Sequence, residues 1–352
     1  MSRLRVAIGP AEISWTSSAL AEGLGSADVD AELAFWSPLP GPFPTDRALG
    51  RVARTLYAVR APLRRDVLHY QYGFTWIPGR VDAWWARLLR RLRVVSYYGD
   101  DCRRADVATR LGWPLAPFKD PVHDASVRRR VEAMGRLCDA AVAIDLEIAS
   151  YLRPFFRRVY VAPVPLHNRT AGATSTRPER RPLRVLHAPS DRALKGTAMI
   201  ERAVAEAAQD VPLELVVLSG VGHEAVGAAL AEADMVVDQM HSASVSILSL
   251  EAMRARLPVL SHVDRRALAP FHEELPVVGV TEETLARELV ELAGDEARRR
   301  RLGSEGHDYV QRRHEAHRAA AAVLRVYEHA RGDATGLFEA TADGVRPLPE
   351  AW

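Results

Sequence analysis

The stretch from Ala233 to Leu260, ADMVVDQMHSASVSILSLEAMRARLPVL, constrains the fold of this chain more than any other. Met235, Val236 and Val237 form an apolar run too short for a helix and suited to a buried strand. Asp238, Gln239, His241, Ser242 and Ser244 follow as a polar loop. Ile247, Leu248, Leu250 and Met253 then share one face at spacings of three and four, which predicts a helix. Ser244 or Ser246 can cap its start, Pro258 stops it, and Val259 and Leu260 begin another strand. Strand, polar loop, helix, strand is the parallel α/β unit, and ligands of such units bind at the carboxyl ends of the strands, against helix N-termini. Glu251 is the odd residue, a carboxylate in the first turns of a mostly apolar helix. It is either a solvated side chain or an acceptor for the two hydroxyls of a ribose.

The same unit recurs along the chain. Leu4–Ile8 reads as a strand that ends at Gly9-Pro10, and a helix follows with Ser17 or Ser18 near its cap. This turn lacks the G-x-G-x-x-G spacing of a dinucleotide site. Ser37–Asp46 is a Pro/Gly-rich loop, and Arg51–Leu63 an amphipathic helix. DVLHYQYG is a strand with His69 near its end, either a core histidine or a group on a cleft floor. Val94–Tyr97 is the next strand. In the following YYGDDCRRAD, Gly99 permits a sharp turn, and Asp100 or Asp101 either caps a helix or meets a ligand. The proline-bearing stretch Leu111–Pro121 is a surface loop or an acceptor-side insertion.

Asn168–Pro182 is small, polar and charged with no apolar period, the mark of a linker. It places an N-terminal domain at residues 1–167 and a second domain at 183–318, with a helix and tail at 319–352. The second domain restarts with the strand Leu183–Leu186. HAPSDRALKGT then leads into the helix Ala198–Ala208, which Thr197 or Ser190 can cap. A helix N-terminus presents free amide donors and a positive dipole end, so Lys195 beside it makes an anion site. Lys119 and Lys195 are the only lysines in a chain whose positive charge is otherwise arginine. After the strand Leu213–Leu218, the glycines of Ser219–His223, Gly220 among them, let backbone approach a ligand. The tail from Gly332 to Trp352 shows no period.

Length and charge narrow the function. With 352 residues the chain has room for two or three domains. Its net charge of +2, 47 basic minus 45 acidic residues, indicates neither nucleic acid nor membrane as a partner. No stretch approaches the ~20 apolar residues of a membrane span, and the start MSRLRVAIGP has no long apolar core of a signal peptide. Cys102 and Cys138 make no metal pattern and no disulfide framework, which fits a reduced, cytoplasmic setting. No metal ligand set is evident, and Asp100-Asp101 is adjacent rather than alternate.

LEAMRARLPVL resembles the second half of a motif of GT-B glycosyltransferases, in the large retaining family (family 4-like, "glycosyl transferases group 1") that includes sucrose synthases. That motif is a glutamate, seven residues, a second glutamate, then Ala-Met or Ala-Leu and a Pro-Val strand. Glu251 matches the second glutamate; Ala243 stands where the first would be. Tyr98, Gly99, Asp101 and Arg103 are similar to the family's His-Gly-Ser-Asp-Val-Arg loop, with tyrosine for histidine. Lys195-Gly196 resembles its phosphate-binding lysine, with Ser190 at the place of a family arginine and Arg192 near enough to substitute.

The resemblance implies an α/β chain of two doubly wound Rossmann-like domains facing across a cleft, with the terminal helices crossing back. It implies transfer of a sugar from a nucleoside diphosphate sugar to a small-molecule or glycan acceptor, with retention and without a metal or other cofactor. Lys195 and Arg192 would neutralise the diphosphate, Glu251 would hold the ribose, and Asp101 and Tyr98 would face the donor sugar. Gly196, Ser190, Gly220, Ser244, Ser246 and Gly9 would line the nucleotide. A sugar-nucleotide epimerase, or a non-catalytic binder of nucleotide or partner, would share the same grip. The family's missing contacts at Ala243 and Tyr98 further imply a modified donor, such as a deoxy or amino sugar or a pentose.

Overall fold

The computed structural model describes residues 3–12, 14–36, 45–167, 182–272 and 274–349. The first half runs β1 (Arg5–Gly9), α1 (Thr16–Ser26), β2 (Asp30–Trp36), β3 (Arg47–Leu49), α2 (Arg51–Arg64), β4 (Val67–Gln71), α3 (Val81–Leu88), β5 (Leu92–Tyr97), α4 (Ala105–Leu111), α5 (Pro121–Leu137), β6 (Ala140–Ala143), α6 (Leu146–Leu152) and β7 (Arg158–Val161). The second runs β8 (Leu183–His187), α7 (Arg192–Lys195), α8 (Thr197–Ala207), β9 (Leu213–Val217), α9 (His223–Glu232), β10 (Met235–Val237), α10 (Ile247–Arg254), β11 (Val259–Ser261), β12 (Val277–Gly279), α11 (Leu285–Gly294) and α12 (Glu296–Arg313). The chain closes with α13 (Ala316–His329), β13 (Gly336–Thr341) and β14 (Gly344–Pro347).

Contacts divide the chain into two units, Met1–Val107 with Asp120–His167 and His314–Trp352, and Ala108–Lys119 with Asn168–Arg313. Most of the expected linker, residues 168–181, lies outside the described residues, as do residues 37–44 of the Pro/Gly-rich loop.

The first unit holds a sheet in the order β14-β13-β7-β6-β5-β4-β1-β2-β3, parallel but for the β13–β14 hairpin. The central strands β4 and β5 are buried along their whole length, on both faces, so His69, Gln71, Arg93 and Ser96 lie inside the core with their apolar neighbours. The tail without a period forms the hairpin: Thr341 pairs with Gly344 around the two-residue turn Ala342-Asp343, and β13 lies parallel to β7. The terminal helices are α12 and α13, which meet at His314-Glu315. The start of α1 also differs from expectation. Glu12, not a serine, accepts from the amides of Ser17 (3.3 Å) and Ser18 (2.8 Å).

The second unit holds an all-parallel sheet in the order β12-β11-β10-β8-β9. Its core joins Val185, Met235, Val237 and Leu260 of the strands to Ile200 and Val204 of α8 and Leu285 and Leu289 of α11. Burying side chains of this size contributes roughly 1.5–3 kcal/mol each.

Candidate functional site

In each sheet the strand order reverses once, between β1 and β4 and between β8 and β10. At such a point the neighbouring connections leave in opposite directions, and the carboxyl ends of the two strands open a crevice.

In the second unit, two loops meet at that edge. His187, at the end of β8, donates from Nδ1 to the Val237 carbonyl (2.9 Å) and accepts at Nε2 from the Thr197 hydroxyl (2.9 Å). Burial holds its pKa below the usual value, so the imidazole stays neutral and can accept. Thr197 is therefore not the cap of α8, and Ser190 is exposed and caps nothing. Asp191 caps the single turn α7 through the amides of Ala193 (2.9 Å) and Leu194 (3.0 Å). Gly196 follows with φ 75°, and a Cβ there would lie 2.7 Å from the Met240 Cβ. Only glycine fits both demands.

This tight junction aims Lys195 inward. Its Nζ donates to Asp238 Oδ1 (3.3 Å) and Gln239 Oε1 (2.5 Å). Asp238 is buried and also accepts from the Ser246 amide (3.0 Å), the Ser246 hydroxyl (2.9 Å) and the Ser249 hydroxyl (2.6 Å). Burial alone would raise its pKa; the Lys195 charge and the serine hydrogen bonds outweigh that and hold it below the usual value. Ser246 caps α10 by accepting from the Leu248 amide (3.2 Å). The lysine side chain remains 14% exposed, so its charge is held yet open to a ligand.

Glu251 sits in the second turn of α10 with its side chain 7% exposed, and Oε1 is 3.1 Å from Nε2 of His223, the first residue of α9. Ser244 is buried, and its hydroxyl has no partner among the described residues. His241 donates from Nδ1 to the Ala193 carbonyl (3.0 Å) and stacks on Phe118 at 3.8 Å. Ala243 is buried. Arg192 is exposed and pairs with Glu201 (2.7 Å), and Gly220 lies in open space with φ 70°.

In the first unit, Gly9 ends β1, where a Cβ would lie 2.2 Å from the Ala34 carbonyl oxygen; its role there is strand packing. The Asp101 carboxylate accepts from the amides of Tyr98 (3.1 Å) and Gly99 (2.7 Å) and so closes the loop after β5. Burial pushes this carboxyl up to about 6. The Tyr98 hydroxyl donates to Gln71 Oε1 (3.1 Å), and its ring lies 5.2 Å from Tyr72. Arg103 makes a buried two-point bridge to Glu147 (2.7 and 3.1 Å). His69 is a core histidine: its nitrogens pair with Tyr327 (2.6 Å) and Ser96 (2.7 Å), and burial lowers its pKa to about 3.

No family model matches the chain, and no curated protein matches its sequence. Solved structures do match. Sucrose-phosphate synthase from Thermosynechococcus elongatus aligns with a TM-score of 0.65 at 15% identity, over 93% of this chain and 99% of that one. Anabaena HepE, solved with UDP and glucose, aligns with a TM-score of 0.60 at 10% identity, over 93% and 100%. WaaG, a glycosyltransferase of lipopolysaccharide biosynthesis, aligns with a TM-score of 0.59 at 12% identity, over 92% and 99%. The chain has the GT-B glycosyltransferase fold.

Within this GT-B chain, Lys195, Gly196 and Ser246 converge at the β8/β10 edge, while Ser190, Arg192 and Gly220 lie exposed near it. In the sequence Asp238 and Gln239 stand only as members of a polar loop and His223 as the end of a glycine-bearing one, with no role of their own, and Ser249 is not marked at all. Their signal is a long-range one. Lys195 and Asp238 are 43 residues apart, and no spacing rule joins them.

Proposed function

We propose that this GT-B chain transfers a glycosyl group from a nucleoside diphosphate sugar to an acceptor hydroxyl or amine. The observation that carries the reading is the Lys195 ammonium held at the β8/β10 edge beside the capped start of α10. A diphosphate leaving group gains negative charge as the glycosidic bond breaks. A fixed cation in a partly dry site stabilises that charge more than water does. Asp238 and Gln239 keep the ammonium in place without neutralising its exposed side.

Glu251 lies inside α10 on the same edge and serves as the ribose acceptor, with His223 as its resident partner. The turn at Gly196 packs on Met240 and so fixes Lys195 against the start of α8. Charge on Lys195 replaces a metal in this reading, and transfer proceeds with retention. The sugar is a modified one, because buried Ala243 offers no polar group to an ordinary hexose.

The test is incubation of the chain with a panel of UDP-, GDP- and dTDP-sugars and simple acceptors, with and without EDTA. Release of nucleoside diphosphate together with a new glycoside, unaffected by EDTA, supports the reading. An epimerised donor, or no consumption of any donor, sinks it; loss of activity that added metal restores overturns the metal-free part alone.

A further inference from the structure

Helices α2 and α3 turn their largest apolar side chains outward. Val52, Leu56, Val59 and Leu63 follow one another at spacings of four, three and four, which is one stripe along α2. A stripe of this kind on an amphipathic helix ordinarily faces the core. Instead α2 buries Tyr57, Ala58, Ala61 and Pro62, which lie on the opposite side of the helix. On α3, Val81, Trp84 and Leu88 form a second outward stripe, while Asp82, Ala83 and Ala86 are buried. All seven outward side chains are between 49% and 75% exposed. The two helices pack together, with the Trp85 indole N–H donating to the Val59 carbonyl (3.1 Å). The stripes therefore belong to one surface.

Charge on this surface has a single sign. From Arg51 to Arg64 there are four arginines and no aspartate or glutamate. Arg51, Arg60 and Arg64 of α2 are exposed, as are Arg87 and Arg90 beside α3. Among the described residues none of these five enters an ion pair, in a chain whose arginines are mostly bridged elsewhere. Arg87 also rests over the Trp84 ring at 5.7 Å, where an indole and a guanidinium together suit a wet boundary. The whole-chain balance of +2 conceals this local excess.

We propose that the α2–α3 face docks the chain on the surface of an anionic lipid bilayer, with the aliphatic and Trp84 side chains in the headgroup–acyl boundary and the arginines against lipid phosphates. A patch of bulky apolar side chains rimmed by arginine and tryptophan is the composition of a helix that lies in a membrane interface. The alternatives fit the same surface less well. A second copy bound through a two-fold axis would set arginine against arginine with no exposed carboxylate on α2 to answer it. A nucleic-acid backbone would use the arginines but leave the aliphatic stripe wet. No helix among the described residues is long and apolar enough to cross a membrane, so this attachment is peripheral. It stands on its own and does not depend on the glycosyl-transfer reading.

The experiment is flotation of the full chain with vesicles of phosphatidylcholine alone and of phosphatidylcholine with phosphatidylglycerol. The expected result is binding to the anionic vesicles only, weakening as salt is raised, with a blue shift of tryptophan emission that Trp84→Phe diminishes. Leu56→Ser with Trp84→Ser, and separately Arg60→Glu with Arg64→Glu, should each lower partitioning by more than about tenfold. Both pairs are solvent-exposed, so the melting temperature should hold and a folding defect is excluded. No flotation of the wild type at low salt, equal binding to neutral vesicles, or binding unchanged in both double variants would overturn the proposal. So would a concentration-dependent dimer in light scattering that Leu56→Ser with Trp84→Ser dissolves.

Discussion

Asp101 and Asp238 hold matching places in the two units, each just past the carboxyl end of a parallel strand, and their carboxyls behave in opposite ways. Burial acts on both and disfavours the charged form. Asp101 answers it with two backbone amides, while Asp100 beside it pushes further in the same direction, and its pKa rises to about 6. Asp238 answers it with Lys195 and the hydroxyls of Ser249 and Ser246, and its pKa falls. Burial alone therefore does not decide the state of a carboxyl; a cation and hydroxyls bonded directly to the carboxylate do. Where the cation exists, the pair is a permanent dipole that can meet a ligand. Where the carboxylate itself has only backbone amides, and the nearby Arg130 donates to the Asp101 carbonyl instead, the group closes a loop and responds to pH.

The largest test of that contrast is Lys195→Ala. On the proposed function this cation faces the developing diphosphate charge, and its removal should lower turnover of the donor by a factor of about 10²–10³. Steady-state rates with the preferred donor measure this, and near wild-type turnover would erase the distinction between the two carboxylates.

Asp238→Asn should come next, read in stability. It leaves Lys195 without its buried counter-charge and should cost about 2–4 kcal/mol in urea unfolding. The corresponding Asp101→Asn should cost under about 1 kcal/mol, since an asparagine oxygen still accepts from the loop amides. The pH dependence carries the sign. A carboxyl raised to about 6 in the folded state contributes stability that is full at pH 4 and below and is lost as pH rises through 6. Asp101→Asn should therefore gain on the wild type in melting temperature between pH 4 and 7. Asp238, lowered below the usual 3.8, contributes stability that is full above that value and is lost only as pH falls through its lower folded value. Parallel pH profiles for the two variants would break the comparison.

A smaller effect is expected at Glu251. Glu251→Gln should weaken nucleoside diphosphate binding by about 1.5–3 kcal/mol, the worth of charge-assisted hydrogen bonds. The smallest concerns the sugar: Ala243→Glu should shift preference toward ordinary UDP-glucose or GDP-mannose in a donor panel under matched conditions. A wild type that already prefers those donors removes the case for a modified sugar.

Much of this architecture was legible in the residues. The strand, loop and helix of Met235–Arg254 follow from period alone, and Lys195-Gly196 stood out because lysine is scarce and glycine precedes a helix. What was not legible depends on partners far away. Nothing local tells Asp238 and Gln239 that Lys195 will reach them, or Glu251 that His223 will. The tail could not be read as a strand because its partner β7 lies in another part of the sequence. The α2 stripe has helical spacing, and spacing identifies a face without saying whether that face turns in or out.

On the proposed function the β8/β10 edge grips a nucleoside diphosphate through Lys195 and Glu251. Calorimetric titration tests it most directly, with UDP, GDP and the bare nucleosides run against wild type, Lys195→Ala and Glu251→Gln. Lys195→Ala should lose affinity for the diphosphate while keeping that for the nucleoside, and Glu251→Gln should lose both. Unchanged diphosphate affinity in Lys195→Ala would contradict it.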